Sequence, residues 1–218
     1  MDFERARQPE QKAQRREALL DAAAALLAER GLGDVSLSAI ARRAGMSKAS
    51  VYRYFESREA IFLELLARDY EAIAERFEAA LVPLAGRGDL DAVAEAIADA
   101  LDSNPRALEL FASIASVLEH NVSADFVREY KRRTVRIGAR PVFALHAAVP
   151  ELSVERAQRL MHLVLVFAGG LYPTAHPAEP VAEVLAEPEF APLRLDFRET
   201  CAEHARLLLR GAVQGAPR

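Results

Sequence analysis

The chain has 218 residues, 51% apolar and 28% charged, with 10 glycines and 11 prolines, the balance of a protein that buries its own core rather than of a disordered or fibrous chain. A net charge of −4 excludes a histone-like coat for DNA. The single cysteine, Cys201, excludes an internal disulfide and fits a reducing cytoplasm.

Nothing near the start reads as a secretory leader. The longest apolar run, Leu160 to Tyr172, holds 13 residues, His162 and two glycines among them, short of the roughly 20 needed to cross a bilayer. No membrane partner is expected.

In chain order, apolar residues recur at helical spacing and no stretch alternates with period two, so an all-α protein of about nine helices is expected. Leu19, Ala23, Leu26 and Leu27 share a face of a first helix that Gly31 closes. Ser36 then caps a two-turn helix with Leu37, Ile40, Ala41 and Ala44 on one stripe, and Gly45 breaks it. Ser47 caps a third short helix with Val51 and Phe55 one turn apart. Ser57 caps again, and Phe62, Leu66, Tyr70, Ile73 and Phe77 mark a fourth helix to Pro83, about 24 residues and roughly 36 Å at 1.5 Å per residue.

After the Gly86-Arg87-Gly88 break, Asn104 and Pro105 open a helix apolar nearly all round that is expected to run to Glu119. Ser123 opens the next, which Pro141 is expected to kink or end. Ser153 starts a helix that turns wholly apolar at Leu160 to Phe167; residues 173 to 195, with five prolines, read as a long ordered loop. Asp196 and Glu199 have capping-box spacing and open a last helix to Gly211.

Charge is unevenly spread. Residues 1 to 60 carry 11 Lys+Arg against 9 Asp+Glu, a balance of +2, which leaves −6 on residues 61 to 218. Within Ser36 to Arg58, Arg42, Arg43, Lys48, Arg53 and Arg58 face only Glu56. The same segment, SLSAIARRAGMSKASVYRYF from Ser36 to Phe55, is two short helices joined by a glycine turn, the geometry that lets a second helix enter a major groove. Ala49 and Ser50 are small enough to approach base edges, while Arg43, Lys48, Tyr52, Arg53, Tyr54 and Arg58 are candidates for the flanking DNA backbone. Backbone N–H groups at Ser36 and Ser47 add helix-terminus phosphate sites. The competing reading is a plain amphipathic pair with solvated arginines.

At these residues the chain resembles the TetR family of bacterial transcriptional regulators. The resemblance covers residues 15 to 62. It rests on the run from Ala22 to Gly31, on Ile40-Ala41-Arg42-Arg43-Ala44-Gly45-Met46-Ser47, on Val51-Tyr52-Arg53-Tyr54-Phe55 and on Ser57-Arg58-Glu59-Ala60. Ala49, where the family often has Gly, and Arg58, where it often has Lys, are conservative departures. The resemblance implies a helix-turn-helix DNA-binding domain over residues 1 to 60 and an effector-binding and dimerisation domain over 61 to 218. It also implies a homodimer on palindromic operator double-stranded DNA that a small molecule releases.

Apolar helices then suggest where such a molecule and a second copy would sit. A pocket for a lipophilic or aromatic effector is expected among Phe111, Ile114, Leu118, Tyr130, Phe143 and Phe167. A two-fold interface is expected at Leu160, Leu163, Phe167, Phe197, Cys201 and Leu208, whose apolar area would be too great for a monomer surface. Arg128, Arg132, Arg136 and Arg140, four apart, form a basic stripe that reads as a solvated face, with a partner or anion surface as alternatives.

The five histidines lack ligand spacing, and GxSxG, P-loop and GxGxxG patterns are missing, so neither metal, cofactor nor catalytic residue is expected. The alternative from another class is a helical small-molecule-binding protein or enzyme without DNA binding.

Overall fold

The computed structural model describes residues 2–214, with side chains for 10–114 and 116–214. Among them there is no strand. The helices are α1 (Asp2–Arg30), α2 (Leu37–Arg43), α3 (Lys48–Val51), α4 (Arg58–Leu81), α5 (Leu90–Asp102), α6 (Pro105–Ala112), α7 (Ala124–Ala148), α8 (Val154–Ala175), α9 (Glu179–Leu185) and α10 (Phe197–Gln214). Contacts divide the chain into one unit of residues 1–68 with 113–132 and a second of residues 69–112 with 133–218.

Local chemistry sets most helix starts. The side-chain oxygens of Ser57, Asn104, Ser123, Ser153 and Asp196 accept the N–H groups of Ala60, Ala107, Phe126, Arg156 and Glu199, each supplying a partner that the first turn lacks. In the first unit α1 buries Leu19, Leu20, Ala23, Leu26 and Leu27, which share a core with Ile40, Val51, Phe55, Ile61, Phe62 and Leu65.

In the second unit α10 packs on α5 and α8, and α6 packs on α8. Leu110, Leu160, Val164, Phe197, Cys201, Ala205 and Leu209 are buried there. Gly169 lets α6 approach: a Cβ at this position would lie 2.7 Å from Cδ1 of Phe111. Outside this core, Arg206 pairs with Asp91 and Glu95, and Arg198 with Glu95 and Asp99, a ladder joining α10 to α5.

Four expectations change. The helix opened by Pro105 stops at Ala112, and a π-helical turn occupies Ile114–Leu118. α7 runs on through Pro141 to Ala148, because packing on both sides of one missing hydrogen bond outweighs its loss. The proline-rich stretch is also not a plain loop. α8 continues through Pro173, and Pro180 and Pro188 stand in the first positions of α9 and of a 3-10 segment, Pro188–Leu193, where a missing N–H costs nothing. α10 extends past Gly211 to Gln214.

Candidate nucleic-acid interface and effector cleft

The hydroxyl of Ser36 accepts the N–H of Ala39 and that of Ser47 accepts the N–H of Ser50, both at 3.1 Å, so α2 and α3 start where the two serines stand. Between them Gly45 sits at φ +66°. Its N–H reaches the Arg42 carbonyl at 3.2 Å, and the Met46 N–H reaches that of Ala41 at 2.9 Å, the double closure that ends a helix on a left-handed residue. Ile40, Val51 and Phe55 are buried beneath. α3 is therefore held by its underside while Lys48, Ala49, Tyr52 and Arg53 stand exposed, together with Arg42 on α2.

Ser50 is half-buried, 2.9 Å from the Ser47 hydroxyl, and accepts from Arg53 at 3.3 Å. Tyr54 is half-buried. Its carbonyl accepts from Arg16 at 3.2 Å, and the same guanidinium lies 4.4 Å from the centre of the Phe55 ring and 2.8 Å from Glu64. Arg16 thus clamps the end of the motif from α1, a role that no local signal in the sequence discloses.

Some expected DNA contacts have other employment. Arg58 donates to Oε1 of Glu59 at 2.9 and 3.1 Å and to the Val35 carbonyl at 3.1 Å. With Glu59 buried, this guanidinium neutralises an internal carboxylate rather than standing free for phosphate. Arg43 donates to Glu29 at 2.6 Å. The first-turn amides behind Ser36 and Ser47 are already capped, so those termini offer less to an anion than expected.

The expected effector residues are spread over both units. Ile114, Leu118 and Tyr130 belong to the first unit and Phe111, Phe143 and Phe167 to the second. Phe143 is on the surface, Phe111 packs on Gly169, and Phe167 stacks on His204 with ring centres 3.7 Å apart. Within the second unit an apolar cleft lies instead among α4, α5, α7 and α8. It is lined by Tyr70, Ile73, Ala74 and Phe77, by Ile97, Ala100 and Leu101, by Pro141, and by Met161 and Leu165. Its void is about 10 Å³, the room of a single water.

The expected interface also divides. Leu160, Phe197 and Cys201 lie inside the chain's own core, each 3% exposed or less. Burial, with Asp102 adding a negative charge nearby, pushes the Cys201 thiol up to about 11. Phe167 and Leu208 are half-buried and Leu163 is exposed. Val166 and Leu207, not anticipated, are exposed on α8 and α10. In the arginine stripe, Arg128 pairs with Asp125, Arg132 with Glu129 and Arg140 with Glu75 and Glu78, which favours a solvated, internally neutralised face.

Residues 67–216 match the family described as "Tetracyclin repressor-like, C-terminal domain", and residues 19–65 that described as "Bacterial regulatory proteins, tetR family". Among similar proteins, the HTH-type transcriptional regulator YdgC of Bacillus subtilis (strain 168) is 31% identical over 127 residues, 50% of this chain and 65% of that protein. The HTH-type transcriptional repressor KstR2 of Rhodococcus jostii (strain RHA1) is 30% identical over 119 residues, 54% of this chain and 58% of that protein. The chain thus spans under two thirds of the length of either. The Thermus thermophilus FadR structure, of a TetR-family transcriptional repressor in complex with lauroyl-CoA, superposes with a TM-score of 0.61 at 18% identity, covering 90% of this chain and 94% of that one.

Proposed function

Because this chain belongs to the TetR family of bacterial transcriptional regulators, we propose that it is a ligand-responsive DNA-binding repressor, released from its operator by a small lipophilic effector. The observation that carries the reading is the α2–α3 pair, capped at both starts and locked at Gly45, which leaves Lys48, Ala49, Tyr52 and Arg53 exposed above a buried underside. A helix held this way enters a major groove without reorganising. Small side chains at 49 and 50 admit base edges, and Lys48, Tyr52, Arg53 and Arg42 reach the backbone on either side. DNA binding is assigned to residues 1 to 60 and effector binding and dimerisation to 61 to 218.

The effector seat is the cleft of α4, α5, α7 and α8, whose lining is nearly all apolar, so affinity comes from buried area. α4 carries Arg58 at its start and Tyr70, Ile73, Ala74 and Phe77 on the cleft wall. An effector that rotates this helix alters the setting of the two readers of a dimer, which must stay roughly 34–36 Å apart to occupy successive grooves. The two-fold contact is assigned to the exposed apolar residues of α8 and α10, Leu163, Val166 and Leu207. None of the relatives named above is an enzyme by its description, no described helix is long and apolar enough to span a membrane, and the place of action proposed is the cytoplasm.

The test is selection of duplexes from a random pool by the purified protein, followed by binding of the enriched sequence across a range of salt. Enrichment of a palindrome, with affinity falling steeply as salt rises, supports the reading. Enrichment of nothing rejects it.

A further inference from the structure

Residues 177–195, between α8 and α10, form an arm in which no residue is buried. Its two short elements, α9 and the 3-10 segment Pro188–Leu193, pack on each other. The Arg194 guanidinium closes the arm by donating to the carbonyls of Leu185, Ala186 and Glu187 at 2.5, 2.6 and 2.9 Å, groups that the end of a helix leaves open. Pro177, Pro180, Pro188 and Pro192 restrict the backbone further. The arm is thus ordered by its own bonds and gives no buried residue to the core.

Its surface is apolar and acidic. Val181, Val184, Leu193 and Leu195 are each 41% exposed or more. Glu179, Glu183, Glu187 and Glu189 have no ion pair among the described residues, and the one cation of the arm, Arg194, is spent on carbonyls. An ordered apolar surface that covers nothing in its own chain marks a place for a partner.

Continuity and charge identify that partner as a second copy. The arm leaves α8 at the end of the helix's exposed stripe, so it prolongs the face assigned above to the two-fold contact. On that stripe Arg159 precedes Leu163 by four residues and Val166 by seven, which puts all three on one side of the helix. Arg159 is exposed and has no ion pair among the described residues. Leu163, Val166 and Leu207 are few for a contact that takes about 20–30 residues a side, and the arm supplies further area.

We propose that in the dimer the arm of each copy lies on the N-terminal half of the other copy's α8, its valines and leucines against Leu163 and its carboxylates around Arg159. The proposal rests on the reading of α8 and α10 as the two-fold contact. With Val166 on the axis and the two α8 helices antiparallel, Thr174 of one copy stands opposite Gln158 of the other, so the arm begins beside Arg159. The two-fold makes each of these contacts twice.

The experiment is sedimentation equilibrium of the full chain, of the double variant Val184→Ser with Leu193→Ser, of Arg159→Glu and of Val166→Glu. The dimer dissociation constant should rise at least tenfold in the double variant, which exposes four apolar side chains per dimer, with the circular dichroism of the single chain unchanged because both residues are on its surface. Arg159→Glu should raise the constant roughly fivefold, the worth of two rim pairs, and Glu183→Arg with Glu187→Arg should recover the loss. A double variant that dimerises like wild type while Val166→Glu is monomeric overturns the arm's role and leaves the two-fold contact standing. An unchanged constant in Arg159→Glu overturns the seat on α8. A monomeric wild-type chain removes the two-fold reading and this proposal with it.

Discussion

Gly169 and Gly170 are neighbours in α8 and should answer a methyl group in opposite ways. At 170 a Cβ meets nothing within 4 Å, whereas at 169 it would lie 2.7 and 3.0 Å from ring atoms of Phe111 and 3.9 Å from the Ala112 backbone. Alanine in place of a helical glycine gains about 0.5–1 kcal/mol at either position. At 169 the ring must move or α6 must back away from α8, an overpacking that costs about 1–3 kcal/mol. Gly170→Ala should therefore melt above wild type, and Gly169→Ala should lie below Gly170→Ala by about 2 kcal/mol, roughly 4–8 °C for a chain of this size. Differential scanning calorimetry of the three proteins reads this directly. A Gly169→Ala melting point equal to or above that of Gly170→Ala would refute the close approach of α6 and α8.

Lys48→Ala should weaken binding to all duplexes alike and reduce the slope of log affinity against log salt by about one, measured by fluorescence anisotropy. Arg58→Ala should instead leave the salt slope alone and lower the melting point, since it strands the Glu59 carboxylate at a cost of about 1–3 kcal/mol; a changed slope with unchanged stability would return Arg58 to the DNA face. Cys201, its thiol raised to about 11, should resist iodoacetamide at pH 8 until the protein unfolds. Because the folded state holds this proton more tightly, wild type should lose stability relative to Cys201→Ala as pH rises from about 9 towards 11, checked by urea titration. Val166→Glu should convert a dimer to monomer in light scattering, and an unaltered dimer would move the interface off this face of α8.

The parts of the molecule legible in the sequence are those fixed within a few residues. Serines 36, 47, 57 and 153, the Asn104-Pro105 pair, Asp196 and Gly45 act on backbone groups at most a turn away, so their types at their spacings disclosed the reader and most helix starts. Prolines misled because their cost depends on position. The same residue that breaks a helix interior is harmless in the first turn, as at Pro180 and Pro188, and is tolerated at Pro141 when tertiary packing holds both halves.

The cleft and interface were least legible. Leu160 and Leu163 are alike in sequence, yet one is core and the other surface, and only the helix packed alongside decides. Which arginines are spent within the chain is similarly a long-range fact, since the partners of Arg43 and Arg16 lie 14 and 48 residues away. Pro141 is a local mark of the cleft wall, but in the sequence it signals only a kink or an end to the helix.

The central claim is that one molecule couples a lipophilic ligand to operator DNA, and coupling of this kind is reciprocal. The measurement is calorimetric titration of a cleft ligand, found by thermal-shift screening, into the free protein and into the protein saturated with its selected duplex. The account predicts weaker ligand binding in the presence of DNA, by the same factor that the ligand weakens DNA binding. Equal ligand affinities in the two titrations would contradict it, even for a protein that binds both.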